Sequence, residues 1–197
     1  MGVSGQTVDV ARTLKGIEAR YNGAQTLEVN YSYTYTFRNR RTIEKGTLFL
    51  RKPGKMRWQY SDPQGKLFVS DGNFIWSYDP QEQRAEKQKF KETEDLRAPL
   101  AFLLGRLDFQ KDFGEYRASP QGADAFITAL PKSDKMPYTE VSFVATKDFA
   151  IRRLLVKGQD SSLMDFGFEG EKRNPPVADG MFRFAAPPGV EVVDLSN

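Results

Sequence analysis

The chain contains no Cys and no His. Without them there is no thiol catalysis, no disulfide, no zinc site of the Cys/His kind and no His acting as general base. An anchor attached through an N-terminal Cys is likewise not expected. No stretch approaches the ~20 apolar residues that a membrane-spanning helix needs. The opening residues Met1-Gly2-Val3-Ser4-Gly5-Gln6 have no signal-peptide core, and they read as a disordered remnant of a trimmed, mature N-terminus. Charge of one sign is not concentrated: 29 Lys and Arg are interspersed with 26 Asp and Glu, for a net charge of +3. The one short basic run, Arg38-Asn39-Arg40-Arg41, falls between two strand-like segments and reads as a solvated hairpin end, so no nucleic-acid partner is expected. Catalytic sets are scarce too. The carboxylates Glu92, Glu94 and Asp95 precede a helix and read as capping and solvation. Gly65, Gly72 and Gly105 are isolated punctuation rather than a phosphate cradle. The expectation is a protein that is not an enzyme and uses no cofactor.

What the chain has in excess is aromatic side chains, 15 Phe, 8 Tyr and 2 Trp in 197 residues, and large rings suit β interiors. The pattern agrees. From Leu27 to Arg38 the odd positions Leu27, Val29, Tyr31, Tyr33, Tyr35 and Phe37 are apolar or aromatic and the even positions are polar, which predicts a long strand with one covered face. Further strands follow at Ile43–Arg51, around Met56, Trp58 and Tyr60, at Leu67 and Val69, and at Phe74, Trp76 and Tyr78, with a polar strand over 83–89. They are separated by Pro53-Gly54, Asp62-Pro63-Gln64-Gly65 and the hairpin signal Asp71-Gly72.

Residues 7–22 predict an amphipathic helix with Val10, Leu14, Ile17 and Tyr21 on one stripe, ended by Asn22-Gly23. Asp95 to Gly105 predicts a short Leu-rich helix and Asp108 to Gly114 a second. Strands resume at Tyr116–Ser119, Ala125–Leu130, Thr139–Ala145, Ile151–Lys157 and Ser162–Phe168. Phe182 and Phe184 read as a short closing strand and Val190–Val193 as the last. Strands at this spacing suggest one meandering antiparallel sheet. Over 1–197 the pattern is that of a single domain: a helix at 7–22, first strands over 27–90, helices within 95–114 and remaining strands over 115–195.

The run Leu48-Phe49-Leu50-Arg51-Lys52-Pro53-Gly54-Lys55-Met56-Arg57-Trp58-Gln59-Tyr60, then Pro63, then Val69-Ser70-Asp71-Gly72-Asn73-Phe74-Ile75-Trp76-Ser77-Tyr78-Asp79, resembles the LolA family of periplasmic carriers of outer-membrane lipoproteins. The resemblance is strong over 46–80 and weaker after 115. It implies a mainly β (α+β) fold, an unclosed, strongly curved antiparallel β-barrel covered by an N-terminal helix and short lid helices. Between sheet and lid it implies an acyl-chain cavity lined by Tyr31, Tyr33, Leu48, Leu50, Met56, Trp58, Val69, Trp76, Leu100, Leu103 and Leu104. It implies a periplasmic monomer whose signal peptide has been removed. The implied partners are lipoprotein or other acylated lipid cargo, an inner-membrane lipoprotein-releasing transporter and an outer-membrane acceptor. In the family an Arg just before the motif's Pro reaches lid-helix carbonyls. Here that place is held by Lys52, with Arg51 beside it, and Lys donates without Arg's planar fork. A sensor or interaction module binding another lipid, amphiphile or protein loop is the alternative that the same resemblance allows.

Overall fold

The computed structural model of the chain describes residues 7–90 and 107–196. The helix expected over 95–105, with Leu100, Leu103, Leu104 and the carboxylates Glu92, Glu94 and Asp95, lies outside the described residues.

The first helix, α1, spans Val10–Asn22. Asp9 starts it by accepting the backbone N–H of Arg12 at 3.0 Å, and Gly23 ends it. Among the described residues twelve strands follow: β1 (Thr26–Phe37), β2 (Arg40–Arg51), β3 (Lys55–Asp62), β4 (Leu67–Asp71), β5 (Phe74–Asp79) and β6 (Arg84–Lys89), then β7 (Phe113–Gln121), β8 (Asp124–Pro131), β9 (Tyr138–Ala145), β10 (Ile151–Gly158), β11 (Leu163–Arg173) and β12 (Glu191–Asp194). A four-residue helix, α2 (Phe109–Asp112), is shorter than the 108–114 expected, because β7 already begins at Phe113. The basic run at 38–41 is the turn between β1 and β2, as its sequence suggests.

The strands form one sheet in the order β12-β6-β5-β4-β3-β2-β1-β11-β10-β9-β8-β7. It is mainly antiparallel and, among the described residues, unclosed, with β12 and β7 at its edges. Two details correct the expected meander. Two hairpin runs, β1–β6 and β7–β11, are joined by the pairing of β1 with β11, and β12 lies parallel to β6. Phe182 and Phe184 do not form a strand. A 3₁₀ turn at Asp179–Phe182 stands there instead, because the N–H groups of Met181 and Arg183 close turn bonds to the Ala178 and Gly180 carbonyls and the Met181 carbonyl accepts from Arg57, rather than joining a ladder.

The chain divides into two compact units, one of 7–23, 34–42 and 107–167 and the other of 24–33, 43–90 and 168–196. In the first, cross-strand registers align Ile127, Phe143 and Leu154, and beside them Ala129, Val141, Val156 and Met164, all buried on one face. On α1, Leu14, Ile17 and Tyr21 are buried, and the Tyr21 hydroxyl accepts the Ile151 N–H at 2.8 Å. Asn22 holds both backbone groups of Leu107, and Glu18 accepts the Phe109 N–H at 2.8 Å. Phe109 then stacks on Phe143 with centroids 5.5 Å apart.

Candidate functional site

The second unit carries the residues of the family-like motif, and the register of β2–β5 decides which of them meet. Residues directly opposite on an antiparallel pair share a face. Leu48 is opposite Trp58, and Trp58 is opposite Phe68; Leu50 is opposite Met56, Met56 opposite Ser70, and Ser70 opposite Ile75. These residues form one face, to which β1 adds Leu27, Val29 and Tyr31. All are buried, and Trp58 is only 2% exposed. Tyr31 meets Trp58 edge-on with centroids 4.7 Å apart, and Tyr60 at 5.9 Å. Tyr33 follows Tyr31 on the same side by alternation and is half-buried. The fold thus brings Tyr31, Tyr33, Leu48, Leu50, Met56 and Trp58 together on this face.

Val69 and Trp76 do not join them. Phe49, Arg57, Val69, Trp76 and Lys87 are successive opposites, on the other face of the same strands. The β3–β4 register sets Arg57, not Trp58, against Val69, and a period of two places every second residue on the far side. Trp76 lies 5.3 Å from Phe184 and half-covered, Lys87 sits 5.6 Å over its ring, and Val69 is fully buried. These two residues are therefore packing under the C-terminal segment rather than part of the Trp58 face.

That segment, residues 174–184, acts as a strap on the Trp76 face. Asn174 accepts the Gln25 N–H at 2.8 Å and donates its own backbone N–H to the Thr26 carbonyl at 2.8 Å. Arg51 donates to the Val177 carbonyl at 3.3 Å and to the Asp179 carboxylate at 2.5 Å, and Arg57 to the Met181 carbonyl at 3.3 Å. Phe182 is buried beneath. The described hydrogen bonds of the Arg51 side chain thus go to the strap, and the helix it was expected to latch lies outside the described residues. Lys52, following the end of β2, gives its backbone N–H to Gln25 at 3.0 Å, and burial pushes its ammonium below the ordinary lysine value.

The Ser70-Asp71-Gly72 triplet has a local explanation. Ser70 Oγ donates to the Gly54 carbonyl at 2.9 Å and accepts the Gly72 N–H at 3.1 Å, while Asp71 accepts the N–H groups of Asn73 and Phe74, each at 2.8 Å. Gly72 turns at φ +99°, open to glycine. The triplet therefore locks the β4–β5 turn onto the β2–β3 turn and holds the Trp58 face in register.

Tyr60, Phe68 and Ile75 also belong to this face. Alternation from Met56 and Trp58 pointed to Tyr60, whereas Phe68 and Ile75 follow only from the register. Glu44 and Lys66, at the end of the face, had no signal in the sequence. Among the described residues no cluster of three His, Cys, Asp or Glu side chains could hold a metal ion.

An open, mainly antiparallel sheet whose strands β1–β5 carry an apolar face defines a class of β proteins suited to holding alkyl and aromatic groups by non-directional contact. The family described as outer membrane lipoprotein carrier protein LolA matches residues 22–185, and the chain belongs to it. It is 26% identical over 185 residues to an outer-membrane lipoprotein carrier protein of Nitrosomonas europaea, covering 93% of this chain and 89% of that protein. It is 31% identical over 179 residues to one of Xanthomonas axonopodis pv. citri, covering 87% and 83%. A conserved protein of Thermus thermophilus, described as uncharacterized, has a crystal structure that shares the fold at TM-score 0.56 and 10% identity, over 93% of this chain and 98% of that one.

Proposed function

We propose that this protein is a periplasmic carrier that binds the acyl chains of lipoproteins and moves them from an inner-membrane releasing transporter to an outer-membrane acceptor. The observation that carries the reading is the continuous apolar face of Leu27, Val29, Tyr31, Leu48, Leu50, Met56, Trp58, Tyr60, Phe68 and Ile75 in a chain of the LolA family. An alkyl chain gains about 0.8 kcal/mol per methylene removed from water and asks only for apolar area, not for directed bonds. Trp58 is closed to solvent, so cargo reaches this face only when its cover is displaced, and the free energy of that displacement is available again at release. Met56 adds an adaptable wall. The latch role falls to Lys52 on the strength of the motif, since Arg51 is engaged by the strap.

The test is native mass spectrometry of protein purified from periplasm, joined to tryptophan quenching by a triacylated lipopeptide with brominated chains. Diacyl or triacyl adducts are expected. The Trp76→Phe variant, which keeps Trp58, is expected to be quenched, and the Trp58→Phe variant, which keeps Trp76, is not. Protein that is free of acyl species and gives no quenching in either variant overturns the carrier reading. Quenching of Trp76 alone overturns the assignment of the face.

A further inference from the structure

β2 breaks its own hydropathy pattern at one place. Ile43 is 48% exposed, and its neighbour Glu44 is buried at 8% on the Trp58 face. Binary patterning puts isoleucine inside and glutamate outside, so the strand is held in a register that reverses the preference. A β-bulge beside Glu44 accompanies this register: Gly46 is opposite Tyr60 but Lys45 is opposite Asp62, which leaves Ser61 over. The Glu44 carboxylate accepts from Lys66 Nζ at 2.5 Å, and that ammonium lies 4.8 Å over the Tyr60 ring. Tyr60 is edge-on to Tyr31 at 5.9 Å, and Tyr31 to Trp58 at 4.7 Å. One ion pair thus terminates an otherwise apolar aromatic wall. Stability is a weak reason for it, because the Lys66 side chain is 31% exposed and an ion pair open to water on one side contributes little.

We propose that Glu44 and Lys66 form the polar-head subsite of the ligand face, where Lys66 donates to the ester or amide oxygens at which acyl chains join their head. Glu44 is a positioning residue: it holds the ammonium over Tyr60, at the end of the wall. The ammonium has three donors, and the carboxylate does not consume them all. The inference rests on the carrier reading and adds to it a selection for acylated heads over plain hydrocarbon. Lipoproteins and phospholipids share that ester chemistry, so both are assayed.

Affinity is measured by fluorescence titration for a triacylated lipopeptide, for a short-chain phosphatidylethanolamine and for the hydrocarbon probe diphenylhexatriene. The proteins are wild type, Lys66→Met, and the neutral double variant Glu44→Gln/Lys66→Met, which leaves no unpaired buried charge. Both variants are expected to lose about tenfold in lipopeptide affinity and to keep their affinity for the hydrocarbon. A parallel loss for phosphatidylethanolamine assigns the subsite to the shared ester, and a loss confined to lipopeptide assigns it to the amide of the acylated terminus. Unchanged lipopeptide binding in the folded double variant overturns the subsite and leaves the carrier reading standing. An equal loss for hydrocarbon overturns it too, since the pair would then only support the wall. Wild-type protein that binds neither acylated ligand overturns the carrier reading, and the subsite with it.

Discussion

At Gly46, β2 and β3 approach so closely that a Cβ would stand 2.1 Å from the Gln59 carbonyl oxygen. The obstruction is backbone, which cannot swing aside as a side chain can. Gly46→Ala is therefore expected to destabilise by about 3 kcal/mol in denaturant unfolding, and to displace the Glu44–Lys66 pair that the adjacent bulge positions. A variant within about 0.5 kcal/mol of wild type would mean that the bulge is soft. Single residues also show where sequence reasoning was incomplete. Trp58 and Trp76 look equivalent in the sequence, each an aromatic in an alternating segment. The Arg57–Val69 and Val69–Trp76 pairings put them on opposite faces, and nothing local distinguishes the register that does so.

At the scale of elements, the strap shows how a segment without regular ladder pairing is held. Asn174 sits at φ +55°, a region asparagine tolerates, and its side chain accepts the N–H of Gln25 while its backbone joins Thr26. Asn174→Ala loses the side-chain acceptor and strains the backbone, for an expected cost of about 2 kcal/mol. Asn174→Gly relieves the strain alone and is expected to recover part of that cost. Hydrogen exchange of residues 177–184 is expected to rise in the alanine variant, and unchanged protection there would show that Arg51 and Arg57 suffice to hold the strap. Strands β1 and β3 and helix α1 were legible because their apolar period of 2 or 3.6 runs unbroken, and β2, β4 and β5 because Pro or Gly closes each of them. The strap was not, since Phe-Arg-Phe alternates like a strand while its polar atoms are taken by Arg57 and by turn bonds.

For the molecule as a whole, alkaline pH offers a direct test of the packing. Burial, then the charges on Glu18, Asp112 and Asp108, push the Tyr116 phenol up to about 12, and burial with Asp112 pushes Tyr138 up to about 12. The neutral phenols are favoured by the fold, so their contribution is complete below the ordinary value of 10.0 and is lost as pH rises toward 12. Unfolding free energy is expected to fall over pH 10 to 12, and Tyr116→Phe and Tyr138→Phe are each expected to flatten that fall; an unchanged slope in both would place the sensitivity elsewhere. By itself, the sequence determined the family, the mainly β class, helix α1, most strand positions and the shared side of Met56, Trp58 and Tyr60, because each of these is written in local periodicity or in one contiguous motif. Only the tertiary structure decided that Trp76 and Val69 belong under the strap, that β12 runs parallel to β6, and that Glu44 is inside while Ile43 is outside. These depend on pairing register between segments distant along the chain, and a shift of one residue there exchanges the two faces without altering a single local preference.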